Sequence, residues 1–263
     1  MADQSSVTAE GTAEAALTED QWQAWRQHTR ARIALGRAGA AVPTRELLDF
    51  GVSHAQARDA IHTALDVDAL DGQLQQAGWL DVQRVQSQAT DRVTYLRRPD
   101  LGRALAEQPC LLPHQAEVVV VIGDGLSSLA VQRHAVPLLQ ALRQLDAARW
   151  QSVPVVLASQ ARVALGDPIG QAMSARLLVM LIGERPGLSA PDSLGCYLTY
   201  QPKVGCSDAE RNCISNIRPE GLDYPVAAFK LNWLVQQALV GQLTGVDLKD
   251  ESDLLLLQSV TQP

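Results

Sequence analysis

No apolar run in this 263-residue sequence is longer than a strand. The longest reach about six residues, against the roughly 20 needed to cross a bilayer, so no membrane span is expected. Positive charge is in deficit: 22 Lys and Arg face 29 Asp and Glu, for a formal charge of −7. That balance argues against nucleic acid or an anionic membrane as partner. The four cysteines, Cys110, Cys196, Cys206 and Cys213, form no CxxC pair and have no His close enough in sequence for a zinc knuckle, so a metal site is not expected and the thiols read as reduced. A GxxxxGK[ST] phosphate loop is absent, and so are HExxH, HxH and a nucleophile elbow around His28, His54, His62, His114 and His134. The first twenty residues carry neither a basic n-region nor an apolar h-region, so no secretory signal is expected.

What is present falls into three stretches. Residues 1–19 are small and acidic and read as a flexible tail, a candidate targeting segment. Residues 20–110 read as a helical and Arg-rich region. Trp22, Trp25, Ile33 and Leu35 have roughly helical spacing, and a second short helix is expected from Ser53, with Gln56 completing a capping box. Arg84, Arg92, Arg97, Arg98 and Arg103 gather at its end, as a solvated face or as a docking surface. From 111 to 263 the grammar becomes strand–helix alternation. "EVVVVI", "VPVVLAS" and "RLLVMLIG" are near-continuously apolar, "CYLTYQP" alternates and reads as an antiparallel edge strand, and residues 224–243 form a closing helix. The expected fold is α/β: an open, mainly parallel, Rossmann-like sheet with helices on both faces, preceded by a small helical N-terminal region.

In such a sheet, ligands sit outside the carboxyl ends of the strands. Three segments leave those ends here: "GDGLSS", "ASQARVALGDPIG" and "GERPGLS". Their glycines permit close backbone approach to a ligand, Asp167 is a candidate N-cap, and the helix N-termini that follow favour a phosphate-bearing ligand. A dinucleotide fits poorly, because Ser128 stands at the third glycine position of G-x-G-x-x-G and Asp124 lies between the first two. With a pocket implied and no catalytic cluster, the reacting group is expected to be a cofactor or another subunit.

The segments "RARIALGRAG", "DRVTYLRRPDLGRAL", "VIGDGLSSLAVQ", "ARVALGDPIG", "LIGERPGLSAPDSLGCYLTY" and "RNCISNIRPEGL", in this order over about residues 25–245, resemble the small subunit of ethanolamine ammonia-lyase. The resemblance implies a carbon–nitrogen lyase, active only with its large subunit, that converts ethanolamine to acetaldehyde and ammonia by an adenosylcobalamin radical mechanism. It implies that residues 111–263 form a cobalamin-binding domain covering the lower face and nucleotide tail of the corrinoid, with the substrate held by the large subunit. No D-x-H-x-x-G occurs, the nearest string being Asp59–His62, so the cofactor is expected base-on. By the same resemblance Val163, Glu184 and Cys213 are the cofactor contacts, with no catalytic and no metal-ligating residue in this chain. Each has a plainer alternative: Val163 as core, Glu184 as an ion pair with Arg185, Cys213 as a buried small hydrophobe. The family also implies residence in a bacterial microcompartment, with the cytoplasm as alternative. A stand-alone nucleotide- or NAD(P)-binding Rossmann protein and a non-catalytic scaffold are the rival readings.

Overall fold

The computed structural model describes residues 17–18, 22–106 and 116–254. The proposed targeting tail lies almost wholly outside them, as do Cys110 and His114. The chain divides into two compact units, residues 1–55 and 56–263.

In the first unit, β1 (Leu17–Thr18) pairs antiparallel with β2 (Arg37–Ala38). The stretch from Trp22 to Leu35 holds a short 3-10 turn, Gln23–His28, in place of the helix its spacing suggested. Helix α1 (Thr44–His62) then runs unbroken past Ser53 and crosses the boundary between the units. Ser53 is therefore not a cap: its hydroxyl donates back to Asp49 O at 2.9 Å and accepts from Arg32 at 2.6 Å. One Gly (Gly51) and one Ser do not end a helix that has Thr44, Arg45, Glu46 and two leucines to start it.

The second unit is built on one six-stranded sheet of order β3-β5-β4-β6-β7-β8. Its strands are β3 (Val82–Gln86), β4 (Val118–Gly123), β5 (Val155–Ser159), β6 (Leu177–Gly183), β7 (Leu194–Tyr200) and β8 (Arg211–Ile217). The first four in spatial order are parallel, and β7 and β8 add antiparallel. β7 is thus antiparallel as expected but interior, because β8 covers its outer side. β3 comes from the Arg-rich stretch and forms the opposite edge.

Every residue of β4 and β6 is buried, which requires cover on both faces. On one face Val118, Val120, Ile122, Val179 and Leu181 pack with Leu70 and Leu74 of α2 (Val67–Gln76), Leu138 and Leu142 of α4 (Ser128–Leu145), Trp150 of α5 (Ala147–Trp150), and Leu231 and Val235 of α7 (Tyr224–Gly241). On the other, Val119, Val121, Leu178 and Met180 meet Leu165 and then Ile169 of α6 (Gly166–Ala172). Side chains alternate between faces along each strand, so the unbroken valine run feeds two cores at once. Each such valine or leucine contributes about 1.5–3 kcal/mol by leaving water. The short helix α3 (Arg92–Arg97) follows β3 and brings Tyr95 into the interior.

Strand order reverses at β4: the chain goes to β5 on one side of it and returns to β6 on the other. The carboxyl ends of β4 and β6 therefore flank a switch point, where α/β folds place ligands. β8 runs in the same direction as β6, so its last residues reach that rim too.

Candidate functional site at the strand-end rim

The turn after β4 is packed against the end of β6, backbone on backbone. Gly125 has φ +57°, and a Cβ there would overlap the carbonyl oxygen of Gly183. A Cβ at Gly183 would overlap the carbonyl oxygen of Ser127, and Leu126 N–H donates to Gly183 O at 2.9 Å. These glycines make room for each other, where the sequence suggested room for a ligand. The next serines hold the turn: Ser127 caps α4 by accepting from Ala130 N–H and donates to Pro191 O, while Ser128 donates to Thr63 O at 2.6 Å. A pyrophosphate has no such glycine cradle left to enter.

Asp124, inside the turn, is 1% exposed. It accepts from Ala161 N–H at 2.7 Å and faces Arg92 at 3.3 Å, joining the ends of β4 and β5 to α3. Burial pushes its carboxyl up to about 6, against the pull of the Ala161 N–H and Arg92. Arg92 also donates to Ile61 O and Gly125 O, and the guanidinium groups of Arg92 and Arg162 lie 4.9 and 4.4 Å from the centre of the Tyr95 ring. Much of the arginine cluster is likewise spent internally: Arg84 pairs with Asp68 and Asp71, and Arg98 with Asp100. Asp167, expected as a cap, instead lies in the first turn of α6, whose N-cap is Leu165, and receives both arms of the buried Arg211 at 2.7 and 2.8 Å.

The three residues singled out by the resemblance border one face of the sheet. Val163 opens the 3-10 turn after β5 and packs, half-buried, against the cluster of Met180 and Ile182. Glu184 follows the last residue of β6, and its carboxylate is fixed: Oε2 accepts the hydroxyl of Ser193 and the backbone N–H of Asn216 at 3.2 Å. Gly195 leaves the space its side chain crosses, since a Cβ there would stand 3.1 Å from Glu184 Oε1. Cys213 is exposed on β8, opposite Tyr197 in register, with its Sγ 3.3 Å from Ser215 Oγ. It is therefore not a buried hydrophobe. Tyr197 links the set. It packs against the same cluster as Val163, and its phenol is pushed up first by burial, then by the neighbouring Cys213 and Glu184.

Sequence reasoning missed Tyr197, Ser193 and Asn216. The alternation in "CYLTYQP" could have placed Tyr197 on the Cys213 face once β8 was known. Nothing in the sequence marks Asn216, which adopts φ +60°.

This donor set suits the periphery of a large ligand. A fixed carboxylate accepts from amides and hydroxyls, and a phenol, a thiol and a serine hydroxyl lie close by. Among the described residues no group of three or more His, Cys, Asp or Glu could hold a metal ion. A corrinoid carries amide side chains around its ring, and a carboxylate, a phenol and a hydroxyl are the groups that hydrogen-bond amides. One cavity of about 220 Å³ lies at the amino ends of the strands beside Glu117 and Arg149 and another of about 230 Å³ lies between Thr63 and Ser128; neither is lined by Val163, Glu184 or Cys213. Among the described residues no helix is long and apolar enough to cross a membrane.

Residues 19–249 match the family model for the ethanolamine ammonia-lyase light chain (EutC). The chain is 51% identical over 250 residues to the ethanolamine ammonia-lyase small subunit of Pseudomonas fluorescens (strain Pf0-1), covering 92% of this chain and 91% of the relative. It is 52% identical to that of Azotobacter vinelandii (91% and 92% covered) and 48% identical to that of Ralstonia nicotianae (93% and 94%).

Proposed function

Because the chain belongs to the ethanolamine ammonia-lyase light-chain family, we propose that it acts with a large subunit to convert ethanolamine to acetaldehyde and ammonia, and that its strand-end rim holds adenosylcobalamin from the lower face. The observation that carries the cofactor part is the fixed Glu184 carboxylate beside Tyr197 and Cys213 at the strand-end rim.

When bound, adenosylcobalamin supplies a carbon-centred radical by homolysis of its cobalt–carbon bond. What this chain adds is placement. Glu184 accepts hydrogen bonds from an amide or a ribose hydroxyl, Val163 offers main chain and an apolar surface, and Cys213 packs against the ring. A carboxylate already oriented by two donors loses little freedom on binding. Tyr197, its phenol kept protonated at neutral pH, remains a donor. In this reading the substrate is held by the large subunit and the radical chemistry belongs to the cofactor. The first 19 residues are proposed to deliver the assembly to a bacterial microcompartment, the cytoplasm being the alternative.

Mixing the chain with its large subunit, ethanolamine and adenosylcobalamin tests this directly. Acetaldehyde release requires all four. Release from the large subunit alone, or alcohol-dependent NAD reduction by this chain alone, would refute the proposal.

A further inference from the structure

We infer that Arg218 is a positioning residue, which ties together the two segments that hold Glu184 and so sets the place of that carboxylate on the rim. The inference rests on the reading of Glu184 as a cofactor contact.

Glu184 is gripped from two sides. Ser193, at the far end of the β6–β7 loop, gives its hydroxyl, and its carbonyl also accepts the Glu184 N–H at 2.9 Å. Asn216, near the end of β8, gives its backbone N–H. That N–H points correctly because Asn216 is in the left-handed region, an uncommon conformation for a residue with a Cβ. Leu222 N–H donates to its carbonyl at 2.8 Å, and Gly221 packs so close that a Cβ there would overlap the same oxygen.

Arg218 spans both holders. Its Nε donates to Asn216 Oδ1 at 3.1 Å, on the β8 side. Its Nη2 donates to Ser189 O at 3.3 Å and its Nη1 faces Asp192 at 3.8 Å, both in the β6–β7 loop. The side chain is 7% exposed, so water does not compete for these partners. A planar guanidinium reaches the two segments at fixed angles, and a lysine ammonium in its place keeps the charge but not the fork. Asp192 is itself held by Arg133 of α4 at 2.8 Å, so the loop stays on the protein when Arg218 is changed; what is lost is its registration against Asn216.

The test is a double-mutant cycle in the two-subunit complex with Glu184→Ala, Arg218→Lys and both together. Affinity for adenosylcobalamin is read by equilibrium dialysis, and kcat and the KM for ethanolamine are read alongside. Arg218→Lys is expected to weaken cofactor binding roughly tenfold, as loss of a supporting residue does, and so to lower turnover at subsaturating adenosylcobalamin, with added cofactor restoring it. In the Glu184→Ala background it should cost nothing further, because it acts through Glu184. Should Arg218→Lys fail to assemble, Arg218→Gln enters the same cycle. Losses that multiply in the double variant, or an Arg218→Lys complex that binds cofactor normally, overturn the inference and leave Glu184's role standing. Normal binding by Glu184→Ala overturns that role and the inference with it.

Discussion

At Asp124 burial and pairing pull in opposite directions. The folded chain keeps its proton up to about pH 6, whereas an ordinary aspartate releases it near 3.8. Between those values the folded state binds more protons than the unfolded one, so this residue makes stability fall as pH rises through the interval. Above about 6 the carboxylate is charged in both states and the slope vanishes. Thermal midpoints of wild type and Asp124→Asn, measured at pH 4 to 7, should show it: the asparagine variant lacks this falling contribution, and the gap between the two curves changes over that span and flattens above it. A constant gap would mean that Arg92 and the Ala161 N–H keep Asp124 ionised throughout. The resemblance singled out Glu184 but not its partners, since Ser193 and Asn216 meet it only once a hairpin and a left-handed backbone turn have formed.

At the scale of the element, what the sequence revealed depended on burial. β4, β5 and β6 were legible because strands covered on both faces are apolar throughout. β3, "VQRVQ", was not: it is an edge strand whose apolar pattern is broken by the exposed Arg84 and Gln86. β8, "RNCISNI", was hidden by its mixture of buried Arg211 and exposed Ser215 and Asn216, and by the irregular register between Leu194 and Cys196. Two of the glycines, read from sequence as room for a ligand, meet protein backbone instead. Gly125 and Gly183 serve the junction between the β4 turn and β6, and alanine at either should destabilise the isolated chain by about 2–4 kcal/mol, through backbone overlap and, at Gly125, a strained positive φ. Gly187, whose nearest neighbour to an added Cβ is 3.7 Å away, should tolerate alanine within about 0.5 kcal/mol. Urea denaturation of the three variants makes the comparison. Equal losses at all three would contradict it.

At the scale of the whole chain, the second unit is a six-stranded sheet packed on both faces, and its strand-end rim carries Glu184, Tyr197 and Cys213. The core is closed on itself: Trp150 donates to Asn232 at 2.9 Å, Arg211 meets Asp167, and the β4 turn fills its own glycine space. The rim keeps a fixed acceptor, a phenol and an exposed thiol on one side. Such a surface suits a chain that shares a large ligand with another subunit.

The most direct measurement is backbone hydrogen exchange of this chain within the two-subunit complex, with and without adenosylcobalamin. Amides at residues 160–165, 184–193 and 211–217 should exchange more slowly when the cofactor is added, while those at the amino ends of the strands, around Glu117 and Arg176, stay unchanged. Protection confined to the amino ends, or a rim that exchanges identically in both states, would contradict the account.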